Sequence, residues 1–347
     1  MSTRATITDV AAEAGVSIST VSLVMNEKGA VAESTRSRVR TAATRLGYTP
    51  SRTARGLAAA RTGLGRTGNL GFVLREDHFR RSEPFYTRVF LGAEFEARRR
   101  GLYVLLATIP ERYRPEDAPR FLQEHTVDGV VVAGRVDGAF LAALSQAGIP
   151  FVLADYAWPG AASVQLDNEG GAALVAEHLV ARGHTRVGFL GADDGHPSIA
   201  ARRDGFLRAM AAAGHVLAPD LVVTGRCVAD RSAGARIAAD LLDRPDRPSA
   251  IFCANDALAL GLLDAARERG LGVPADLAVV GFDDVEGAAL ASPPLTTVRV
   301  YKEQLGEVAL GLAAEQTSSQ SGAEAARFER APSVTRIATD LVVRASG

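Results

Sequence analysis

Residues 6–26 read TITDVAAEAGVSISTVSLVMN, and this stretch predicts two short helices joined by a tight turn. Thr8 is expected to cap the first helix, which covers residues 9–14, because a threonine hydroxyl can accept a hydrogen bond from the first backbone N–H groups. Gly15 follows as the residue type that ends helices in the left-handed conformation. Ser17 then offers an N-cap hydroxyl for a second helix. Two short helices around a glycine turn are typical of a helix-turn-helix motif, whose second helix enters the major groove of DNA.

The second helix has one apolar face and one outer face. Val21, Val24 and Met25 recur at helical spacing and are expected to face inward. The outer face, together with the residues that begin each helix, supplies the candidate DNA-binding residues of this region: Thr6, Ser17, Ile18, Ser19, Thr20, Ser22, Leu23 and Asn26. Three of them are expected to reach base edges: Ile18, Ser19 and Leu23. Three are expected to contact phosphates: Thr20, Ser22 and Asn26.

The charge of this region argues against a helical hairpin without a nucleic-acid role. A third helix is predicted over residues 33–46, and the faces that do not carry its apolar residues carry arginine. Residues 1–66 contain ten Lys or Arg and four Asp or Glu, a net charge of +6, whereas the whole chain has a net charge of −1. A basic N-terminal region on an acidic body is the charge asymmetry expected of a module that binds phosphate groups.

The same region resembles the headpiece and hinge of the lactose-repressor (LacI/GalR) family of bacterial transcription regulators. The resemblance is carried by motifs that occur in order and at the family's spacing: TITDVAAEAGVS, STVSLVMN, STRSRV, LGYTPS and ARGLA. It implies a helix-turn-helix headpiece over 1–48 and a hinge helix with a linker over 49–67. The family's hinge folds when two copies meet over the DNA minor groove, which assigns Ala54 and Leu57 to DNA contact, with Leu57 as the wedge between base steps. Ser51 stands where the family usually has Asn.

From residue 69 onward, short apolar runs alternate with helical patterns. Eight strands are predicted in two series of four, over residues 69–74, 103–109, 129–133, 150–155, 186–192, 221–225, 250–254 and 278–283. Strands that are apolar throughout and separated by helices indicate parallel sheets covered on both faces, so the fold is α/β. Two series in tandem predict two Rossmann-like lobes. The resemblance implies a body like that of the periplasmic sugar-binding proteins, with a ligand in the cleft between the lobes.

Three crossings between the lobes are implied by the resemblance, at VQLDNEGG, at SPPLTTVRV and near the C-terminal ATDLVVRAS. They divide the body, residues 68–347, into two lobes of two segments each. The first lobe is assigned residues 68–165 and 295–326, and the second lobe residues 166–294 and 327–347. Three crossings form a hinge about which the lobes can close.

Polar residues at strand ends are the candidates for the ligand pocket, because open α/β sheets bind ligands there. Asp155 ends a strand of the first lobe, and Asn255 and Asp283 lie at the ends of strands of the second. Asn255 and Asp283 could instead cap the segments that follow them, and this alternative stays open.

The resemblance adds three residues to the pocket. Arg202, in AARRDGF, stands at the place of the family's effector-contacting arginine, and Phe85 and Tyr86 stand where family members place aromatic residues against the effector. Arginine, amide and carboxylate groups together suit a polyhydroxylated ligand, because planar groups can bond paired hydroxyls. We therefore expect a sugar or a sugar derivative. For Trp158, stacking on a sugar and a surface or interface role both stay open.

The sequence lacks the common catalytic motifs G-x-S-x-G, the Walker A lysine loop, H-E-x-x-H and C-x-x-C. The run GLGRTG at 63–68 precedes a strand instead of following one, so we interpret it as a linker and not as a dinucleotide site. The six histidines are scattered and are interpreted as surface or capping residues. We expect no enzyme activity, no cofactor and no metal, and we expect Cys227 and Cys253 to be buried free thiols in strands.

Two other classes of protein share parts of this pattern. A solute-binding protein has the same body, but the start MSTRATITDV has no apolar signal segment and the headpiece is basic. A Rossmann-type enzyme needs a phosphate loop and an acid/base pair, which the sequence lacks. No apolar run approaches the ~18–20 residues that span a bilayer.

We expect a cytoplasmic homodimer that binds a palindromic operator in double-stranded DNA and a small-molecule effector. A dimer of dimers is left open. Activation or repression depends on where the operator lies, and a repressor is expected.

Overall fold

The computed structural model describes the backbone of residues 5–25, 29, 31–48, 66–80, 85–192, 196–225, 227–319 and 333–347, and all of their side chains except those of residues 79, 80 and 319. These residues belong to two compact units, Met1–Thr67 and Gly68–Gly347. Three predicted DNA contacts lie outside the described residues, and so does the predicted hinge helix that carries two of them: Asn26, Ala54 and Leu57.

The first unit contains three helices, α1 (Ile7–Ala14), α2 (Ile18–Met25) and α3 (Glu33–Arg45). Small and β-branched side chains from all three form its core: Val10, Ala11, Ala14, Val21, Val24, Val39, Ala42 and Ala43. The apolar residues that recur at helical spacing in the sequence are therefore the ones that form the core. The axes of α1 and α2 differ by 103°, which is the angle expected of a helix-turn-helix.

The N-cap of α1 is Thr6, so the prediction of Thr8 as the cap was wrong. The backbone N–H of Asp9 donates to Thr6 Oγ1 at 3.3 Å, and the backbone N–H of Thr6 donates to Asp9 Oδ2 at 2.7 Å. This reciprocal capping box needs an acidic or amide residue three positions after the cap, and Asp9 supplies it for Thr6. Gly15 ends the helix with φ 62°, in the left-handed region, as predicted.

The second unit, the body, contains two six-stranded sheets. The strands are β1 (Asn69–Arg75), β2 (Tyr103–Ile109), β3 (Gly129–Ala133), β4 (Phe151–Ala154), β5 (Ala162–Leu166), β6 (Val187–Ala192), β7 (Val222–Gly225), β8 (Ala250–Cys253), β9 (Ala278–Asp283), β10 (Thr296–Arg299), β11 (Val334–Ile337) and β12 (Asp340–Val342). The first sheet has the order β11-β5-β4-β3-β1-β2 and is parallel throughout. The second has the order β12-β10-β9-β8-β6-β7, and β12 alone runs antiparallel, against β10. The predicted α/β class and the two parallel lobes are confirmed.

Ten helices are described in the body. They are α4 (Glu76–Arg80), α5 (Phe85–Arg99), α6 (Arg120–Gln123), α7 (Gly138–Gln146), α8 (Asn168–Ala181), α9 (Pro197–Ala212), α10 (Arg231–Leu242), α11 (Asp256–Glu268), α12 (Glu286–Leu290) and α13 (Lys302–Ser319). Short 3₁₀ turns lie at Pro115–Asp117 and Pro219–Leu221. We call the first sheet with α4–α7 and α13 the first lobe, and the second sheet with α8–α12 the second lobe.

The boundaries predicted for the lobes need two corrections. β10 pairs with β9 in the second sheet, although residues from 295 onward were assigned to the first lobe. β11 pairs with β5 in the first sheet, although residues 327–347 were assigned to the second lobe. The chain passes between the sheets after β5, between β10 and α13, and between β11 and β12. A short strand such as β10 or β11 fits either sheet, because its own sequence does not determine which strand it pairs with.

Aromatic packing fills the second lobe beside its sheet. Phe252 in β8 is fully buried, with ring centroids 4.9 Å from Phe206, 5.6 Å from Phe189 and 6.4 Å from Phe282. This cluster places the end of β9 against α9, and the two elements carry the polar residues of the cleft. The two cysteines are free, but only Cys253 is buried in a strand; Cys227 is half-buried and follows β7, contrary to expectation.

Candidate functional site

The outer face of α2 combines exposed aliphatic and hydroxyl side chains. Ile18 is 48% exposed and Leu23 is 42% exposed, which is unusual for large apolar residues on so short a helix. Ser19 is exposed between them in the first turn. Ser17 caps α2, because its hydroxyl accepts from the backbone N–H of Thr20 at 3.1 Å and lies 2.9 Å from the Thr20 hydroxyl. The outer face can therefore offer methyl and hydroxyl groups to a ligand, and it carries no charge.

Basic side chains of the same unit are carried by α3. Arg38 and Arg40 are exposed on that helix. Two other arginines are paired within the unit: Arg36 lies 3.6 Å from a carboxylate one helical turn earlier, and Arg45 forms an ion pair with Glu13 of α1. The Arg45 pair joins α3 to α1. Exposed guanidinium groups such as those of Arg38 and Arg40 are the groups that neutralise phosphate in DNA-binding proteins.

In the body, two residues of the first lobe meet one residue of the second. Asp155 follows β4 with φ 61°, a conformation that is uncommon for residues other than glycine. The Tyr86 hydroxyl donates to Asp155 Oδ2 at 3.0 Å. His196, the N-cap of α9, brings its Nε2 to 3.3 Å from the Tyr86 hydroxyl and 3.7 Å from Asp155 Oδ2. All three side chains are buried, so a polar contact joins the lobes across the cleft.

Arg202 lies on the second-lobe side of the cleft and is held from several directions. Its Nε donates to Asn168 Oδ1 at 2.8 Å and its Nη1 to the Ala254 carbonyl at 2.7 Å. Its Nη2 lies 3.1 Å from Asp283 Oδ1, and the guanidinium carbon lies 3.8 Å from the centroid of the Phe282 ring. A planar guanidinium group that is held at all three nitrogens has a fixed orientation beside the cleft.

The carboxyl group of Asp283 experiences opposing influences. Burial raises its pKa, the nearby cations Arg202 and Lys302 lower it, and the negative charge of Asp155 raises it again. The net result is a pKa above the usual value. Lys302, the first residue of α13, donates from its ammonium group to the Asp283 backbone carbonyl, which joins the second crossing to the end of β9.

Aromatic rings line the first-lobe side. Phe85 begins α5, is half-buried, and packs edge-on against Tyr86 with centroids 4.9 Å apart. Lys302 Nζ lies 6.0 Å from the Phe85 ring centroid, at the outer limit of a cation–π contact. With carboxylates, a guanidinium group and aromatic faces together, the cleft is suited to bind a polar ring, and its described residues do not form the nucleophile and base arrangement of a hydrolase.

Comparison with known proteins gives the same two parts. Residues 6–51 match the family described as bacterial regulatory proteins, lacI family, and residues 176–346 match the periplasmic binding protein-like domain. An HTH-type transcriptional repressor PurR of Vibrio atlanticus (strain LGP32) is 32% identical over 344 residues, covering 96% of this chain and 98% of that protein.

The chain belongs to the lacI family of bacterial regulatory proteins.

Two solved structures of this family cover almost the whole chain. A complex of the transcriptional regulator CelR with cellobiose is 30% identical, with a TM-score of 0.71, and covers 99% of this chain and 100% of that one. The lac repressor dimer bound to operator and the anti-inducer ONPF is 25% identical, with a TM-score of 0.80, and covers 99% of each chain. This lacI-family protein is a DNA-binding transcriptional regulator, and the family consists of regulators, not enzymes.

The structure distributes the predicted pocket residues of this lacI-family protein unevenly. Tyr86 and Asp155 lie together on one side of the cleft, and Arg202 and Asp283 lie together on the other. Asn255 is the N-cap of α11, the alternative that the sequence left open: its Oδ1 accepts from Leu258 N at 2.9 Å, and its Nδ2 donates to a backbone carbonyl. Asp283 caps no helix, since the residue before α12 is Val285, which makes no side-chain cap.

Trp158 packs within the first lobe. It is half-buried beside the apolar cluster of β3, β4 and α7, and a β-carbon on Gly138 would lie 2.5 Å from its ring. Stacking on a ligand and a surface or interface role both stay predictions for this ring.

The sequence analysis missed three polar residues of the cleft: Asn168, His196 and Lys302. His196 was expected to be a surface or capping residue; it does cap α9, but it is buried and reaches the other lobe. The pattern His-Pro-Ser could have indicated a helix start, since proline favours the first helical position, but not the contact across the cleft.

No group of three or more metal-ligating side chains occurs in the part of the chain that the structure describes. No single described helix is long and apolar enough to cross a membrane, and the pair α1 and α2 passes that test by length and composition only when taken together across its 103° bend.

Proposed function

We propose that this lacI-family regulator is a repressor that binds a palindromic operator as a homodimer and responds to a sugar or sugar derivative bound between its lobes. The observation that carries the proposal is the pairing of Arg202 with Asp283 on one side of the cleft and of Tyr86 with Asp155 on the other. Charged planar groups on both sides can each bond vicinal hydroxyls of one ring, and Phe85 offers an apolar face.

The relatives support both halves of the proposal. CelR has been solved with cellobiose, and the lac repressor has been solved as a dimer on its operator. One headpiece reads one half-site, so a two-fold symmetric dimer calls for a near-palindromic operator. Within the headpiece we assign base contacts to Ile18, Ser19 and Leu23.

The remaining DNA contacts are proposed from position and resemblance. Phosphate contacts are assigned to Thr20, Ser22 and Asn26, and Thr6 and Ser17 are assigned to the DNA-binding surface. Minor-groove contacts are assigned to Ala54 and Leu57 in the hinge. Such a regulator acts where the chromosome is, so we place it in the cytoplasm.

The ligand moves DNA affinity only by binding one lobe arrangement better than the other. A ligand that touches both sides of the cleft favours closure, since only the closed arrangement brings its contacts together. A tenfold change in operator affinity needs about 1.4 kcal/mol of coupling, within the usual range of about 1–3 kcal/mol.

The proposal is tested in two steps. A thermal-shift screen of mono- and disaccharides, cellobiose included, is followed by nucleobases as the competing ligand class. Operator DNA is then selected from random sequence, and gel shifts at several salt concentrations are run with and without each hit. We expect a sugar that raises the melting temperature and changes operator affinity. A nucleobase that has both effects, when no sugar has them, would overturn the proposed ligand class. Light scattering that finds one protein chain per operator would overturn the proposed homodimer.

A further inference from the structure

Asp256, the first residue of α11, is a carboxylate with no exposed surface. Both of its oxygens accept hydrogen bonds: Oδ1 from the Thr297 hydroxyl at 2.5 Å, and Oδ2 from the backbone N–H of Val285 at 2.9 Å. Burial raises the pKa of this carboxyl well above its usual value, and the neighbouring charge of Asp283 raises it further. Burying a carboxyl group is unfavourable, so its presence here indicates that the groups to which it is hydrogen-bonded must be held in place.

Asp256 holds the turn after β9 directly through Val285 and indirectly through Thr297 of β10. Asp283 has φ 113° and Asp284 has φ 46°, so two successive residues with side chains lie in the left-handed region. Such residues keep this conformation only where surrounding contacts enforce it. The backbone N–H of Asp284 points to the Thr297 hydroxyl at 3.5 Å, and the next N–H, that of Val285, donates to Asp256. One hydroxyl and one carboxylate thus engage consecutive amides of the turn.

The conformation of this turn determines where the Asp283 side chain lies. Its carboxylate is held 3.1 Å from Arg202 Nη2, and the Lys302 ammonium group donates to its backbone carbonyl. We propose that Asp256 and Thr297 are positioning residues of the cleft, which hold the turn in its left-handed conformation so that Asp283 stays against Arg202. The inference rests on the proposed function only in taking this pair as part of the effector site.

A purely structural role makes a different prediction. If Asp256 merely anchors the start of α11, its loss lowers stability and leaves the Asp283–Arg202 pair unchanged. If it positions the turn, loss of either hydrogen-bonding partner lets residues 283 and 284 relax to ordinary backbone conformations, and the carboxylate leaves Arg202.

The test compares Thr297→Val, which removes the hydroxyl at nearly constant shape, with Thr297→Ser, which keeps it. The full-length protein is labelled with ¹⁵N, and the Nε–H signal of Arg202 is assigned by its loss in Arg202→Lys. We expect Thr297→Val to shift or broaden this signal and to speed hydrogen exchange at the amide of Val285. We expect Thr297→Ser to leave both as in the parent protein.

The outcome that overturns the proposal is an Arg202 signal that stays in place in Thr297→Val, whether or not the amide of Val285 loses protection. Should Thr297→Val not fold, Asp256→Asn serves in its place. An asparagine side chain has a single acceptor oxygen, so it can accept from the N–H of Val285 or from the Thr297 hydroxyl, but not from both. Neither effector nor operator is used in this measurement. Its failure is therefore distinct from that of the proposed function, which would show as an absence of any response to sugars.

Discussion

His196 Nε2 of the second lobe lies 3.7 Å from Asp155 Oδ2 of the first lobe, and both side chains are buried. The Tyr86 hydroxyl contacts both groups, so a small polar cluster joins the two lobes. A ligand that closes the cleft must keep, replace or break this contact. The free energy of the contact is therefore part of the switch.

Replacing His196 by Ala should shift the ligand-free lobes toward a more open arrangement, because the polar contact across the cleft is lost. Nitroxide pairs on exposed Gln146 of the first lobe and exposed Ala213 of the second report the change by pulsed electron resonance, in a Cys227→Ser background. Ser198→Ala is the matched control: it removes the 2.6 Å contact to His196 Nδ1 but keeps the ring. Identical distance distributions for parent and His196→Ala would show that the contact does not restrain the lobes.

Arg202→Ala should abolish the response to effector. The substitution leaves the buried Asp283 carboxylate without its guanidinium partner, which costs about 3–5 kcal/mol of stability. A bound effector stabilises the parent by about 2.7 kcal/mol at a hundredfold excess over its dissociation constant, and this increment should vanish in the variant. Operator binding without effector should stay close to that of the parent, since residues 1–67 form a compact unit of their own. The control is Arg203→Ala, on the same helix, which should respond to effector as the parent does. If effector raises the melting temperature of Arg202→Ala as much as that of the parent, the pocket is wrongly assigned.

Leu23 should select against guanine in the operator. An exposed leucine offers only apolar contact, for instance to a thymine methyl, whereas arginine binds guanine bidentately. Leu23→Arg should therefore gain preference for G·C at one position of each half-site, worth about 1–3 kcal/mol. Selection from random DNA with both proteins measures this. An invariant guanine facing Leu23 in the sites selected by the parent would contradict the assignment of an apolar base contact to Leu23.

Gly306→Ala should destabilise the first lobe. A β-carbon at this position of α13 would overlap the carbonyl oxygen of Val89 in α5, so the two helices must move apart. Overpacking of this kind costs about 1–3 kcal/mol or more. Gly311→Ala is the matched control on the same helix, because its β-carbon would meet only the ends of two side chains, Arg100 Nη2 at 3.2 Å and Glu96 Oε1 at 3.8 Å. Urea unfolding of the two variants should differ, and equal midpoints would contradict the close helix approach seen here.

Stability of the body should fall as the pH drops below neutrality. Burial lowers the pKa of His178, and burial together with the charges of His178 and Arg182 lowers the pKa of His184. Because the folded pKa values lie below the unfolded value of about 6.5, the stability they contribute is present above that pH and is lost as the pH falls through the folded values. The double variant His178→Gln/His184→Gln should show a flatter decline than the parent in urea unfolding between about pH 7.5 and 5. His215→Gln is the control, and parallel declines of parent and double variant would refute the assignment.

The sequence by itself determined the helix-turn-helix and the α/β class. Short-range signals carry both: Gly15 can adopt the left-handed turn, Ser17 can cap the next helix, and apolar side chains recur at the spacing of the buried face. Runs that are apolar at every position imply strands covered on both sides, whichever strands they pair with. These inferences need no knowledge of distant parts of the chain, and the structure agrees with them.

Tertiary structure alone decided which strands pair and which distant side chains meet. The sequence of β10 fits either sheet, and its hydrogen bonds to β9 and β12 place it in the second lobe. His196 reads as a helix cap in sequence, yet its position 41 residues beyond Asp155 gives no sign that the two meet across the cleft. Asp256 reads as an ordinary acid in a first helical turn, whereas its burial and its role follow from Thr297 and Val285. Local patterns report which face of an element is buried, but the residue that a side chain meets there is set by strand pairing and helix packing between distant segments.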